Sequence, residues 1–195
     1  MPLRVSSPTE GVHLNNVHGK WKLVAVFAVV AMMTTSCGSK QLTLSEYFDR
    51  FTAITSVMDQ RTQDLQTKAD SSLMAAKTDD ERLKVLHDSL VEQASAVGAA
   101  VDEWRTLDPP DEVKVAHDAY VTAVDSYVKG VTAGLVGFDK YKTPQEAQQG
   151  ILTPELQATS TSIDAGCVKL QELATSNKVD VDLGCSGGSS ANAGG

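Results

Sequence analysis

Residues 101–127, VDEWRTLDPPDEVKVAHDAYVTAVDSY, decide the fold. Pro109 and Pro110 forbid a continuing helix, because neither has an N–H to donate and each ring collides with the turn before it. Asp111 directly after them can cap a new helix. On the left, Val101 and Trp104 close an apolar stripe that runs Leu83, Leu86, Leu90, Ala94, Val97, Val101, Trp104. On the right a second stripe runs Val113, His117 (or Ala116), Tyr120, Val124, Tyr127, Val131, Leu135, Phe138. Both keep the three-to-four spacing of one helix face. The stretch therefore reads as two helices joined by a tight proline turn, the second expected to stop near Tyr141, with Gly130, Gly134 and Gly137 marking a close contact or a kink in its latter half.

Working outward, the preceding apolar positions Leu44, Phe48, Phe51, Ile54, Met58, Leu65, Leu73 and Ala76 predict a helix over about Leu42 to Ala76. Thr78, Asp79 and Asp80 then supply capping and first-turn acids for its successor. Downstream, Pro144 and Pro154 bracket a segment of one or two turns. Thr153-Pro154-Glu155 starts a last long helix, with proline at the first helical position and apolar residues at Leu156, Ile163, Cys167, Leu170 and Ala174 up to Asn177. Lys178 to Cys185 alternates Val179, Val181 and Leu183 as an extended piece. Residues 186–195 are a Gly/Ser/Ala tail, expected to be disordered. The expected fold is all-α: an antiparallel up-down-up-down four-helix bundle over 42–185 with a disulfide-tethered C-terminal tail.

The opposite end of the chain concerns location. Lys20 and Lys22 precede eleven apolar residues, Leu23 to Met33, and these close on Thr34-Thr35-Ser36-Cys37. Eleven is short of the roughly 20 needed to span a bilayer, and the layout is that of a secretory signal. With cysteine placed directly after small residues, residues 20–37 resemble the lipobox-type signal of bacterial lipoproteins, with Thr34 standing where that family most often has leucine. The resemblance implies that residues 1–36 are a cleaved signal peptide and that Cys37 becomes the first residue, carrying a thioether-linked diacylglycerol on the extracytoplasmic face of the cell membrane. The body, with Leu107-Asp108-Pro109-Pro110, His117 and the late pair Cys167 and Cys185, is similar to small uncharacterised helical lipoproteins of Gram-positive-type bacteria, which implies no known activity. A short tether, 37–41, would then hold the body within about 14 Å of the membrane surface.

Charge and cysteines fit that compartment. Of 17 bases and 25 acids, the segment before Cys37 holds Arg4, Lys20, Lys22 and Glu10, leaving 14 and 24 and a formal charge of −10. Such a surface lacks the clustered cations that nucleic acid requires, and attachment to an anionic leaflet would rest on the lipid. Three cysteines, one assigned to lipid, leave Cys167 and Cys185 as a pair for an oxidising space.

No catalytic motif is present: no Gly-x-Ser-x-Gly, no phosphate-binding Gly-rich loop, no His-Glu-x-x-His and no Cys-x-x-Cys. After Cys37 there are two histidines. Across a helical hairpin His87 and His117 lie about 18 Å apart along the axis, too far to share one ion. Asp180-x-Asp182-x-Gly184 opens like a calcium loop but lacks the glutamate at position twelve. The one candidate pocket comprises Trp104, His117 and Tyr120, with Tyr47 near; its alternative is a histidine at the core edge bonded to a tyrosine or a carbonyl. The expected function is a non-enzymatic binding or interaction module of the cell envelope, without cofactor or metal, with the membrane and an envelope protein as partners. A small-molecule, haem or metal carrier using the interior near His117 is the alternative.

Overall fold

The computed structural model describes residues 41–185. The signal stretch 1–36, the lipidation site Cys37, the tether up to residue 40 and the tail 186–195 lie outside the described residues. Within them the chain is all-α: α1 (Leu44–Ala75), α2 (Asp79–Arg105), α3 (Asp111–Leu135), α4 (Pro144–Ile151) and α5 (Pro154–Ser176), with a 3₁₀ turn at Phe138–Lys140. None of these helices is long and apolar enough to cross a membrane.

The starts follow from capping. Thr43 and Thr78 each accept from the backbone of the glutamate three residues on, and Glu46 and Glu81 return the bond to the cap's own N–H. These are capping boxes. Thr143 and Thr153 cap α4 and α5, each followed by proline in the first turn. Pro110 stands at the N-cap of α3 without a side-chain bond. Instead the entering chain is fastened to that turn: Leu42 N–H donates to the Asp108 carbonyl at 3.3 Å, and the Gln41 amide donates to the Pro109 carbonyl at 3.1 Å and to Asp111 at 3.2 Å.

The helix containing His117 ends at Leu135, not near Tyr141. Gly137 takes a left-handed φ of 73°, which an L side chain resists, and the chain turns there into the 3₁₀ segment. Gly130 and Gly134, still inside the helix, lie against Leu156 and Ile151, so they mark close contact.

α1 packs on α2, α2 on α3, and α3 on α5. Two cores result. The larger joins Tyr47, Phe48 and Phe51 of α1 to Val101 and Trp104 of α2, Val113, Tyr120 and Val124 of α3, and Leu170 and Ala174 of α5. The smaller joins Leu83, Val131, Phe138, Ala147, Ile151 and Leu156, and contains no residue of α1. Beyond Phe51, the only buried residue of α1 is Ala69. The two-turn α4 thus covers the part of the core that the second half of α1 does not reach.

After α5 the chain reverses. Val179 N–H bonds the Ala174 carbonyl and Lys178 N–H the Thr175 carbonyl, with Lys178 at φ 59°, the paired bonds of a Schellman turn. Residues 179–183 then return along α5. The carboxamide of Gln171 serves them as a strand would, donating to the Val181 carbonyl and accepting from Leu183 N–H, both at 2.8 Å. A disulfide between Cys167 and Cys185 closes the return.

Candidate functional site

The two histidines among the described residues, His87 and His117, open on two different cavities. His117 sits on the inward stripe of α3 and is 3% exposed. Its Nδ1 lies 3.0 Å from the Tyr47 hydroxyl, and its ring also hydrogen-bonds the Trp104 backbone carbonyl. One neutral tautomer satisfies both contacts, with a ring N–H donating to the carbonyl and Nδ1 accepting from the phenol. Burial is the largest influence on the imidazole and lowers its pKa, with Lys114 adding to this and Asp118 and the Trp104 bond opposing. Burial likewise raises the Tyr47 phenol well above its ordinary range, and pushes Tyr120 up to about 12. All three groups are uncharged at neutral pH.

Trp104, His117 and Tyr120 do come together, but as packing. Phe51 stacks on Trp104 with centroids 5.3 Å apart, and Tyr120 meets both rings edge-on at 5.4 and 5.5 Å. The Trp104 indole N–H has no hydrogen-bond partner among the described residues, a cost of about 1–3 kcal/mol set against the burial of the largest side chain in the core. Of the three, His117 lines a cavity of about 280 Å³ whose other walls include Arg105, Leu107, Lys114, Asp118 and Thr122. Its cations are already matched. Arg105 bonds Asp125 at 2.8 Å and Asp102 at 3.2 Å, while Lys114 is 3.5 Å from Asp118. Hydrogen bonding from Lys129 first, and then the charge of Arg105, hold the Asp125 carboxyl below its usual range.

His87 faces the larger cavity, about 580 Å³, between the start of α2 and the segment after α3. Leu83 and Leu135 give it apolar walls. The His87 ring meets Phe138 edge-on at 5.2 Å, and Phe138 meets Tyr141 at 5.5 Å. Periodicity missed this site because it continued the helix through Phe138. The spacing Gly134-x-x-Gly137 followed by Pro144 was the signal that the helix stops and its aromatic residues turn sideways.

Among the described residues no three His, Cys, Asp or Glu side chains converge where a metal ion could be held. Asp182, in the calcium-like motif, accepts from Gly184 N–H at 2.9 Å, an Asx turn that leads into Cys185. Comparison with known proteins finds no family model that matches this chain, no matching curated protein and no matching solved structure.

Proposed function

We propose that the protein is a lipoprotein held on the extracytoplasmic face of the membrane through Cys37, and that it acts as a non-enzymatic binding or interaction module of the cell envelope. The observation that carries this reading is the Cys167–Cys185 disulfide, a bond that persists in exported proteins and is rare in a reducing cytosol. The signal-like stretch before Cys37 agrees with it. So does Gln41, whose bonds to Pro109 and Asp111 fasten the chain to the α2–α3 turn four residues after Cys37. In this reading α1, α2, α3 and α5 form an up-down-up-down bundle, with the α2–α3 turn toward the membrane and the 580 Å³ cavity at the opposite pole. The short 76–78 and 106–110 links support that trace. The engaged nitrogens of His117 and the small cavity beside it give a carrier role less support than an interaction role.

Photo-crosslinking in living cells tests the proposal, with the reactive side chain placed at Asp139 or Lys142 on the outer pole and at Val115 on the side of α3. A reproducible adduct with one envelope protein from the outer-pole positions is expected. Absence of any adduct from all three would contradict an interaction role.

A further inference from the structure

The cavity beside His87 has a composition that selects for charge. Its walls are apolar and aromatic, from Leu83, Leu135, Phe138 and Tyr141. Its rim carries Asp80, Asp88 and Asp139 against Lys84 and Lys142. Lys84 and Asp88 are bonded to each other, and Asp88 also meets His87 Nδ1 at 3.2 Å. Asp80 and Asp139 have no such partner among the described residues, so two unpaired carboxylates face the ammonium of Lys142 and that of Lys140, which rests on the Tyr141 ring. The chain as a whole is acidic, with a formal charge of −8, so the surrounding field also favours cations.

The ring of Tyr141 already draws one. Lys140 Nζ lies 4.8 Å from its centroid, within the range at which an ammonium is attracted to the electron-rich face of an aromatic ring. Tyr141 is itself placed by α4. It lies so closely on Gly150 that a methyl group there would overlap the outer edge of the ring.

We propose that this cavity binds a small alkylammonium cation, its hydrocarbon part seated on Leu83, Leu135 and Phe138 and its charge between the Tyr141 ring and the carboxylates of Asp80 and Asp139. The inference goes beyond the envelope-module reading and does not depend on the lipid anchor. Success or failure can therefore be scored on the purified full chain alone.

The test is an NMR titration with n-butylammonium and tetramethylammonium chloride, using sodium chloride at equal ionic strength and 1-pentanol as the uncharged control. Saturable shifts confined to Leu83, His87, Leu135, Phe138 and Tyr141 are expected with the two ammonium salts only. Gly150→Ala, which displaces the ring while favouring the helix, is expected to weaken binding by roughly tenfold. Asp80→Asn combined with Asp139→Asn, both at exposed positions, should weaken it severalfold while lowering the melting temperature by no more than the small loss expected for a first-turn acid. Lys140→Ala should strengthen it by removing the internal competitor. Absence of saturable shifts, equal shifts with 1-pentanol, or affinity unchanged in both the Gly150 and the Asp variants would overturn the proposal.

Discussion

His117 shows how a residue that draws attention in sequence can be explained by its surroundings. It is a titratable ring on an apolar stripe, and the fold meets it with a phenol on one side and a backbone carbonyl on the other. Replacing Tyr47 by Phe leaves the buried Nδ1 without a donor and is expected to cost about 1–3 kcal/mol, read as a lowered midpoint in urea unfolding. The pH dependence follows from the direction of the shift. Because the folded pKa of His117 is lowered, the folded protein resists protonation more than the unfolded chain does. Its stabilising contribution is therefore complete above the unfolded value of about 6.5 and is lost as pH falls below it toward the folded value. Melting temperature should fall between pH 7.5 and 5 in the wild type, and the fall should be shallower in His117→Asn. Equal slopes would show that His117 does not contribute.

At the level of elements, the turn after α5 is the clearest case of a local cost carried for a global purpose. Lys178 holds a left-handed conformation in a Schellman turn, where glycine is the usual occupant. Lys178→Gly is expected to stabilise the protein by about 1 kcal/mol, measured by the same urea midpoint; a loss of stability would mean that the lysine side chain has a role beyond the turn. The starts of α2 and α5 and the proline turn were legible in sequence because they depend on adjacent residues: Thr78 before Asp79 and Asp80, Thr153 before Pro154, Pro109 with Pro110. The end of α3 was not. Phe138 fits the 3.6-residue period and nothing in the period reports that Gly137 has left it. The return of residues 179–183 along α5 was readable as an extended piece tied to Cys167. Its partner Gln171 was not, since a glutamine on a helix face looks like solvent-facing polarity until a second backbone lies against it.

At the scale of the whole molecule, the two cores divide the work. The larger one ties both ends of the described residues, Leu42 and Leu183, to Leu107 beside the α2–α3 turn, and the smaller one rests on α4 rather than on α1, which periodicity alone could not foresee because α4 is only eight residues long. The meeting of Trp104, His117 and Tyr120 was legible in sequence, but not that Phe51 would join them and fill the core, because the stack of Phe51 on Trp104 depends on the crossing of α1 and α2. The disulfide spans 18 residues, and opening it is expected to cost about 3 kcal/mol, or roughly 10 °C in Tm for a body of this size; a melting temperature unchanged by reductant would show that Gln171 and the Val179–Leu183 packing hold the tail unaided. The central claim, a disulfide-closed helical body anchored outside the membrane, is tested most directly by the intact mass of the native protein extracted from membranes, taken before and after reduction with thiol alkylation. The account predicts a chain that begins at Cys37 with a diacylglycerol adduct, and two further cysteines that take up the alkylating reagent only after reduction. A chain that retains residues 1–36, or three cysteines alkylated without reduction, would contradict it.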